Sequence, residues 1–282
     1  MSLLTKLPAL FVAHGGGPLP VLGDPGHAGL TRALKQLPAQ INVSRPAAIL
    51  VISAHWEEPV ATVTTHPNPP MIYDYYGFPP ESYALTYPAP GHPVLAQRVA
   101  SLLTAAGIAC KTDSKRGFDH GTYIPLMLAY PKADIPTIQL SLVSSLDPGT
   151  HVAIGEALAP LREENVLIVA SGMTFHNMGV LMQGMRGKGP VDAKSKEFDD
   201  YLHAAVTASS GEKRKEMLLK WAKGPHAKYA HPREEHLIPL LVAAGASKGE
   251  PGRVLFSEPL FAAQVSSFVF GGEDVHTAND EL

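Results

Sequence analysis

Four histidines lie directly or shortly after short apolar runs that are typical of β-strands. They are His14, His55, His120 and His176, and each has Gly, Ser or Ala beside it. Parallel strands of an α/β sheet deliver their carboxyl ends to one edge, which is where open α/β sheets hold ligands. Any one of these histidines is explained equally well as a hydrogen-bonded polar residue at a strand end. Their repetition favours a shared site, because imidazole fills a sheet edge poorly unless its nitrogens are partnered, and neutral imidazole is the commonest metal ligand.

The composition narrows the choice of ligand. The chain has 282 residues, of which 45% are hydrophobic and 17% charged, and its net charge is -3. This near-neutral balance argues against nucleic acid or a membrane surface as the main partner and favours a small neutral or mildly acidic ligand. Cys110 is the only cysteine, so histidine and carboxylate must hold any metal. The N-terminus lacks the apolar core of a secretory signal, and no apolar run reaches about 18 residues. We therefore expect a cytoplasmic protein.

Apolar runs and helical patterns alternate along the chain, which predicts an α/β fold. We expect one domain, 1–282, with a mostly parallel central sheet flanked by helices and a metal site at the carboxyl edge of the strands. Strands are predicted near 8–13, 47–54, 60–64, 136–142, 166–171, 254–256 and 266–270, and helices near 28–37, 93–106, 121–130 and 149–163.

Residues 66–93 interrupt this alternation. Eight prolines forbid a regular helix over most of the segment, which we call the proline-rich loop. Long loops inside compact domains are usually functional. The loop's aromatic residues either pin it to the surface or wall a pocket for a flat ligand. Under the second interpretation the wall consists of Tyr73, Tyr75, Tyr76 and Phe78.

Two later segments read as helical. Residues 191–223 are charge-rich and predict a solvated helical pair, with Gly211 as a possible break and no assigned chemistry. In residues 231–241, Pro232 with acidic residues just behind it predicts a helix start. Either Glu234 and Glu235 are partners of the helix dipole and His236 is incidental, or one of Glu235 and His236 points into the histidine cluster.

Six short blocks occur in an order that resembles a known family. They are His14-Gly15-Gly16-Gly17-Pro18, Ser53-Ala54-His55-Trp56-Glu57, Tyr87-Pro88-Ala89-Pro90-Gly91, Gly117-Phe118-Asp119-His120-Gly121, Ser171-Gly172-Met173-Thr174-Phe175-His176-Asn177 and Glu235-His236-Leu237-Ile238-Pro239-Leu240. Together they resemble the class III extradiol ring-cleavage dioxygenases, in the 4,5-DOPA dioxygenase-like branch of the LigB superfamily. The resemblance extends from about residue 7 to residue 245, and six ordered blocks are far more specific than any one of them.

The resemblance implies roles for individual residues. His14, His55 and His236 would be metal ligands, and His176 would be either a fourth ligand or a catalytic base that faces the metal. His120 would act at the pocket as a second acid/base or oxygen-binding group. The substrates would be a small aromatic diol and O₂, and the protein would be a monomer or a small homo-oligomer.

The metal and the reaction class have alternatives. The superfamily holds Fe(II) with two histidines and one glutamate, whereas the third position here reads as His236 with Glu235 beside it. Fe(II) is the metal expected for activity, and an all-imidazole site also suits Zn(II). A zinc-dependent hydrolase and a non-catalytic metal-binding or interaction protein are therefore the alternatives to a dioxygenase.

Overall fold

The computed structural model describes residues 6–187, 190–208 and 211–272, and the strands within them form one sheet. Their bounds in chain order are β1 Ala9–Ala13, β2 Ala48–Glu58, β3 Ala61–Thr64, β4 Cys110–Asp113, β5 Thr137–Val143, β6 Val166–Gly172, β7 Gly252–Leu260 and β8 Ala263–Phe270. The order across the sheet is β4-β3-β5-β2-β6-β1-β8-β7.

The centre of this sheet is parallel. Strands β5, β2, β6 and β1 pair in parallel, as do β3 and β4, whereas β3 meets β5, β1 meets β8 and β8 meets β7 in antiparallel pairs. Central strands with helices on both faces must be apolar throughout, and Leu10, Leu50 and Ile168 are fully buried. The predicted fold class, a mostly parallel α/β sheet in a single domain, is confirmed.

Helices cover the sheet, and several begin at side chains that accept a hydrogen bond from the first turn. Asp119, Asp147, Asn177 and Asp192 cap α3, α4, α5 and α6 in this way. In the described residues the bounds are α1 Ala28–Gln40, α2 Pro93–Ala105, α3 His120–Ala129, α4 Pro148–Leu158, α5 Met178–Arg186, α6 Ala193–Val206, α7 Gly211–Leu219, α8 Ala227–Ala230 and α9 Ile238–Ala246. Short 3-10 helices occupy Pro25–His27, Pro80–Ala84, Ala159–Glu164 and Trp221–Lys223. Within the described ranges, no helix is both long and apolar enough to span a membrane.

The structure corrects two predicted boundaries. Strand β2 does not end before His55 but continues to Glu58, with a register shift against β5 between Ile52 and Glu57. His55 therefore lies inside a β-bulge, a feature that re-aims side chains next to functional sites. The last predicted helix begins at Ile238 and not at Pro232, with Pro239 in its first turn. Because the helix starts later, Glu235 precedes it and is not one of its first-turn residues.

Strand β4 and the helices α5 and α8 were not predicted, and one prediction is met in part. Strand β4 carries Lys111 and Thr112 and has no apolar run, and α5 is too rich in glycine and methionine to stand out by propensity. The helical pair predicted over 191–223 is present as α6 and α7, and α7 begins at Gly211. Residues 209 and 210 of that prediction lie outside the described residues.

Two glycines allow α4 and α9 to touch. A Cβ atom on Gly155 would lie 2.1 Å from the carbonyl oxygen of Val242, and one on Gly245 would lie 2.2 Å from that of Val152. Helix α9 begins two residues after His236. The backbone contact between these helices therefore helps to fix where His236 stands.

We expect Gly155→Ala to lower the free energy of unfolding by about 1–3 kcal/mol, because the added methyl group forces the two helices apart. Urea denaturation measures the loss. Gly187→Ala is the matched control, since a Cβ atom there would meet nothing within 4 Å. Equal midpoints for the two variants would contradict this account of the helix packing.

Candidate metal centre

Three imidazoles converge at the carboxyl edge of the sheet. Nε2 of His55 lies 3.2 Å from Nε2 of His14 and 3.3 Å from Nε2 of His236. Metal-nitrogen bonds of about 2.0–2.1 Å place ligand nitrogens roughly 3 Å apart at right angles and roughly 3.4 Å apart in a tetrahedron. The observed spacing therefore suits three ligands of one transition-metal ion, and these residues form a candidate metal-holding group.

The His14 ring has a defined proton position. Its Nδ1 lies 3.0 Å from the hydroxyl oxygen of Ser171, and that hydroxyl donates its own proton to the carbonyl of Gly121. Ser171 must then accept from His14, so we assign the ring proton to Nδ1. The lone pair of Nε2 is left to face the other two histidines.

Carboxylates hold the other two rings. Nδ1 of His236 lies 2.9 Å from the Glu235 carboxylate, and Nδ1 of His55 lies 3.5 Å from that of Asp74. A carboxylate that accepts from Nδ1, as Glu235 does from His236, fixes the tautomer and raises the basicity of a metal-ligating histidine. The Asp74 carboxylate lies on the Nδ1 side of the His55 ring, and the Nε2 atoms of His14, His55 and His236 face one another, an arrangement that suits a cation.

Asp74 joins His55 to His120. The backbone N–H and Nδ1 of His120 donate to one oxygen of Asp74 at 3.0 and 2.9 Å, and the other oxygen faces His55. The ring centroids of the two histidines are 3.9 Å apart. Sequence analysis missed Asp74, although an acidic residue between two tyrosines of the proline-rich loop is an available signal.

Glu235 joins His236 to His176 in the same manner. Nδ1 of His176 lies 3.3 Å from the carboxylate oxygen that also accepts from His236. The two rings stack, with centroids 3.3 Å apart. His176 therefore groups with Glu235 and His236, while the three converging Nε2 atoms belong to the other group.

The buried histidines are neutral near pH 7. Burial lowers the pKa of His14 and of His55 well below the usual range, and the neighbouring histidines lower it further. Burial, with the charge of His176 adding to it, lowers the pKa of His236 to about 3. Neutral imidazoles are the form that binds metal.

The two carboxylates are ionised beside them. Burial alone would raise the pKa of Glu235, but hydrogen bonds from His176 and His236 outweigh it and hold that pKa well below the usual range. For Asp74, burial is likewise outweighed by the hydrogen bonds from His120, so its pKa is lowered. Each carboxylate therefore brings a negative charge to a pair of imidazoles.

Gly172 allows the backbone of His236 to lie against the edge of the sheet. The N–H of Met173 donates to the carbonyl oxygen of His236 at 2.9 Å, just after β6 ends at Gly172. A Cβ atom on Gly172 would lie 2.2 Å from that same oxygen. Only glycine permits this approach, which ties the turn before α9 to the end of β6.

A cavity of about 420 Å³ opens over the histidines. As predicted, the proline-rich loop supplies aromatic lining through Tyr75, Tyr76 and Phe78, whereas Tyr73 lies behind them and its hydroxyl donates to the carbonyl of Leu85. The described lining residues are His14, Gly15, Gly16, Gly17, Leu19, His55, Tyr75, Tyr76, Gly77, Phe78, His120, Met173, His176, Met178, Leu181, Met182, Met185, His236, Leu260 and Phe261.

The chain is similar to known ring-opening dioxygenases over most of its length. Residues 4–267 match the family described as the catalytic LigB subunit of aromatic ring-opening dioxygenase. Dioxygenase tasH of Hapsidospora irregularis is 38% identical over 95% of this chain and 86% of its own. The 4,5-DOPA dioxygenase extradiol of Beta vulgaris is 42% identical over 84% and 85%, and that of Escherichia coli K12 is 37% identical over 87% of each chain.

A solved structure has a similar fold. The crystal structure of an uncharacterized protein from Escherichia coli K12 superposes with a TM-score of 0.78 at 34% identity, over 94% of this chain and all of that one. The chain belongs to the LigB family of class III extradiol dioxygenases, which confirms the resemblance noted in the sequence. Members of this family use non-haem Fe(II) and act on catechol-type aromatics with O₂.

Metal affinity should change little from about pH 8 to about pH 5 and should fall only at lower pH, because the lowered histidine pKa values leave no protons for the metal to displace. Calorimetric titration with Zn(II) across this range measures it. A steady loss of affinity that begins near pH 6.5 would show that the histidines titrate as exposed imidazoles.

Proposed function

We propose that this chain holds a metal ion through His14, His55 and His236 and uses it to open the ring of a catechol-type aromatic with O₂ by extradiol cleavage. The observation that carries the proposal is the convergence of three Nε2 lone pairs at the base of a cavity lined by aromatic side chains. Membership of the LigB family supports it.

Three protein ligands suit the reaction better than four. A bound Fe(II) would supply positions for both catechol oxygens and for O₂, and would make the hydroxyls more acidic. The all-imidazole ligand set also suits Zn(II), which lacks the redox chemistry that O₂ requires. We propose Fe(II) as the active metal, and metal exchange distinguishes the two.

We assign proton transfer to His176 and His120. In each ring Nδ1 faces a carboxylate, Glu235 for His176 and Asp74 for His120, which leaves Nε2 for the substrate. We propose that His176 accepts a proton from a catechol hydroxyl and that His120 donates one to oxygen as the O–O bond breaks. The two carboxylates act as positioning residues.

The reaction balances without a further reductant. The carbon–carbon bond beside one hydroxyl-bearing carbon breaks, and both atoms of O₂ enter the product, one in a new carboxylate and one in a new aldehyde. The ring supplies the four electrons that reduce O₂. The product is of the muconic semialdehyde type.

We also propose that the whole chain, residues 1–282, is one functional domain. The strands of the described residues share a single sheet, and one continuous core packs on both of its faces. The histidines of the centre come from residues 14 to 236, so no unit that omits either end of this span contains the whole centre.

Protein reconstituted with Fe(II) should consume one O₂ for each catechol and form a yellow product, because ring opening yields a conjugated semialdehyde. An oxygen electrode and the visible spectrum measure the two quantities, and Zn(II)-loaded protein is the control. Hydrolysis of an ester or amide panel without O₂ would favour the hydrolase, and tight metal binding with neither reaction would favour a non-catalytic protein.

His120→Ala and His176→Ala should each retain metal and lose turnover by about a hundredfold or more, as expected when a proton-transfer group is removed. His14→Ala should lose the metal and serves as the comparison. Metal content and kcat are measured on the same samples. Loss of metal from His176→Ala would make His176 a fourth ligand, and unchanged kcat in either variant would remove that residue from the mechanism.

Asp74→Asn should lower kcat by about tenfold to a hundredfold with the metal retained, because the loss of charge weakens the hold on both His55 and His120. Glu81→Gln alters the exposed acidic residue of the same loop and is the matched control. If the two variants have the same kcat, Asp74 does not orient His120.

A further inference from the structure

One wall of the cavity is a helix face of methionine and leucine. Met178, Leu181, Met182 and Met185 follow the i, i+3, i+4, i+7 spacing of a single face of α5, and all four line the cavity. We call them the methionine face. A surface helix normally turns such a stripe to the core, yet Met178, Met182 and Met185 are 51%, 40% and 44% exposed.

Other residues that line the cavity are also apolar. Leu260 and Phe261 from the end of β7 line it together with Leu19, and Phe261 lies beside Gly184 of α5. Among the described lining residues, the only polar side chains are those of histidines and tyrosines, and none is Asp, Glu, Lys or Arg. The cavity therefore pairs a polar, metal-holding base with apolar walls.

Two donors close to the histidines, the Gly16 N–H and the Arg116 guanidinium, are already engaged. The N–H of Gly16 donates to Nε2 of His27 at 2.9 Å. The guanidinium of Arg116 donates to Asp119 and to the carbonyl of His55, and lies over the ring of Trp56. A carboxylate on the substrate would thus lose its water in this cavity without gaining these groups as partners, and such desolvation is unfavourable.

We propose that the preferred substrate is a catechol with an uncharged, extended apolar substituent on its ring, and that this substituent lies on the methionine face. The inference rests on the proposed function, since the catechol oxygens are taken to lie at the three histidines. A cavity of about 420 Å³ accommodates the ring and a chain together. Methionine suits such a surface because its flexible thioether adapts to irregular apolar shapes.

The first test is anaerobic binding, which needs no turnover. Calorimetry of metal-loaded protein with catechol and its 4-methyl, 4-ethyl, 4-propyl and 4-butyl derivatives should show Kd falling about fourfold for each methylene, equivalent to about 0.8 kcal/mol per buried CH₂. The carboxylate analogue 3-(3,4-dihydroxyphenyl)propionate should bind at least about tenfold more weakly than 4-butylcatechol. A flat series, or tighter binding of the carboxylate, overturns the inference.

The second test assigns the effect to the helix face. The double variant Met182→Gln/Met185→Gln keeps side-chain length and removes apolar character, so Kd for 4-butylcatechol should rise about tenfold while Kd for unsubstituted catechol stays within about twofold. Val94→Gln alters a residue of α2 that is 76% exposed and is the matched control. Equal effects on both ligands, or altered sedimentation of the double variant in place of altered binding, would assign the methionine face to folding or to self-association.

Oxygen uptake with the same compounds separates the two proposals. Turnover that improves with chain length supports both. Graded binding without any O₂ uptake keeps the substrate inference and rejects the dioxygenase reaction for these ligands. Turnover that is independent of chain length, or faster with the carboxylate or with DOPA, keeps the reaction and rejects the inference.

Discussion

The Nε2 atom of His55 lies 3.2 Å from that of His14 and 3.3 Å from that of His236, and imidazole lone pairs this close repel one another unless something positive lies between them. Ser171 and Glu235 accept from Nδ1 of His14 and of His236, so the protons of these two rings lie on the side away from the other histidines. Burial further disfavours a second proton on any of the rings. This arrangement suits a bound cation, and the surrounding structure holds the imidazoles together in it.

The two carboxylates give the centre a simple charge balance. Asp74 and Glu235 each serve one ring of the metal-holding group and one ring outside it. Two negative charges thus lie just behind a position suited to a doubly charged ion. Because each carboxylate is shared, Asp74 links His120 to His55 and Glu235 links His176 to His236.

The sequence predicted what depends on local pattern. Buried parallel strands must be apolar, so β1, β2, β5 and β6 were evident, as was the shared edge at which their histidines meet. Strand β4 was missed because a polar edge strand such as Cys110–Asp113 has no such requirement.

Local sequence patterns did not predict contacts between residues that are far apart in the chain. The bulge at His55 depends on pairing with β5, and the late start of α9 depends on packing against α4 and on the backbone contact at Gly172. Asp74 contacts His120 only because the proline-rich loop folds over the edge of the sheet. The histidines were thus predictable, whereas of the two carboxylates beside them Glu235 was one of two open alternatives and Asp74 was missed.

The three histidines of the centre lie far apart in the amino-acid sequence. His55 is 41 residues from His14 in the chain and 181 from His236, so an ion held by all three acts as a cross-link that closes one short and one very long loop. The backbone contact of Gly172 with His236 closes the long loop in the folded chain. The centre is thus a global property of the fold, and an ion bound by all three histidines would be sensitive to local unfolding at either end of the chain.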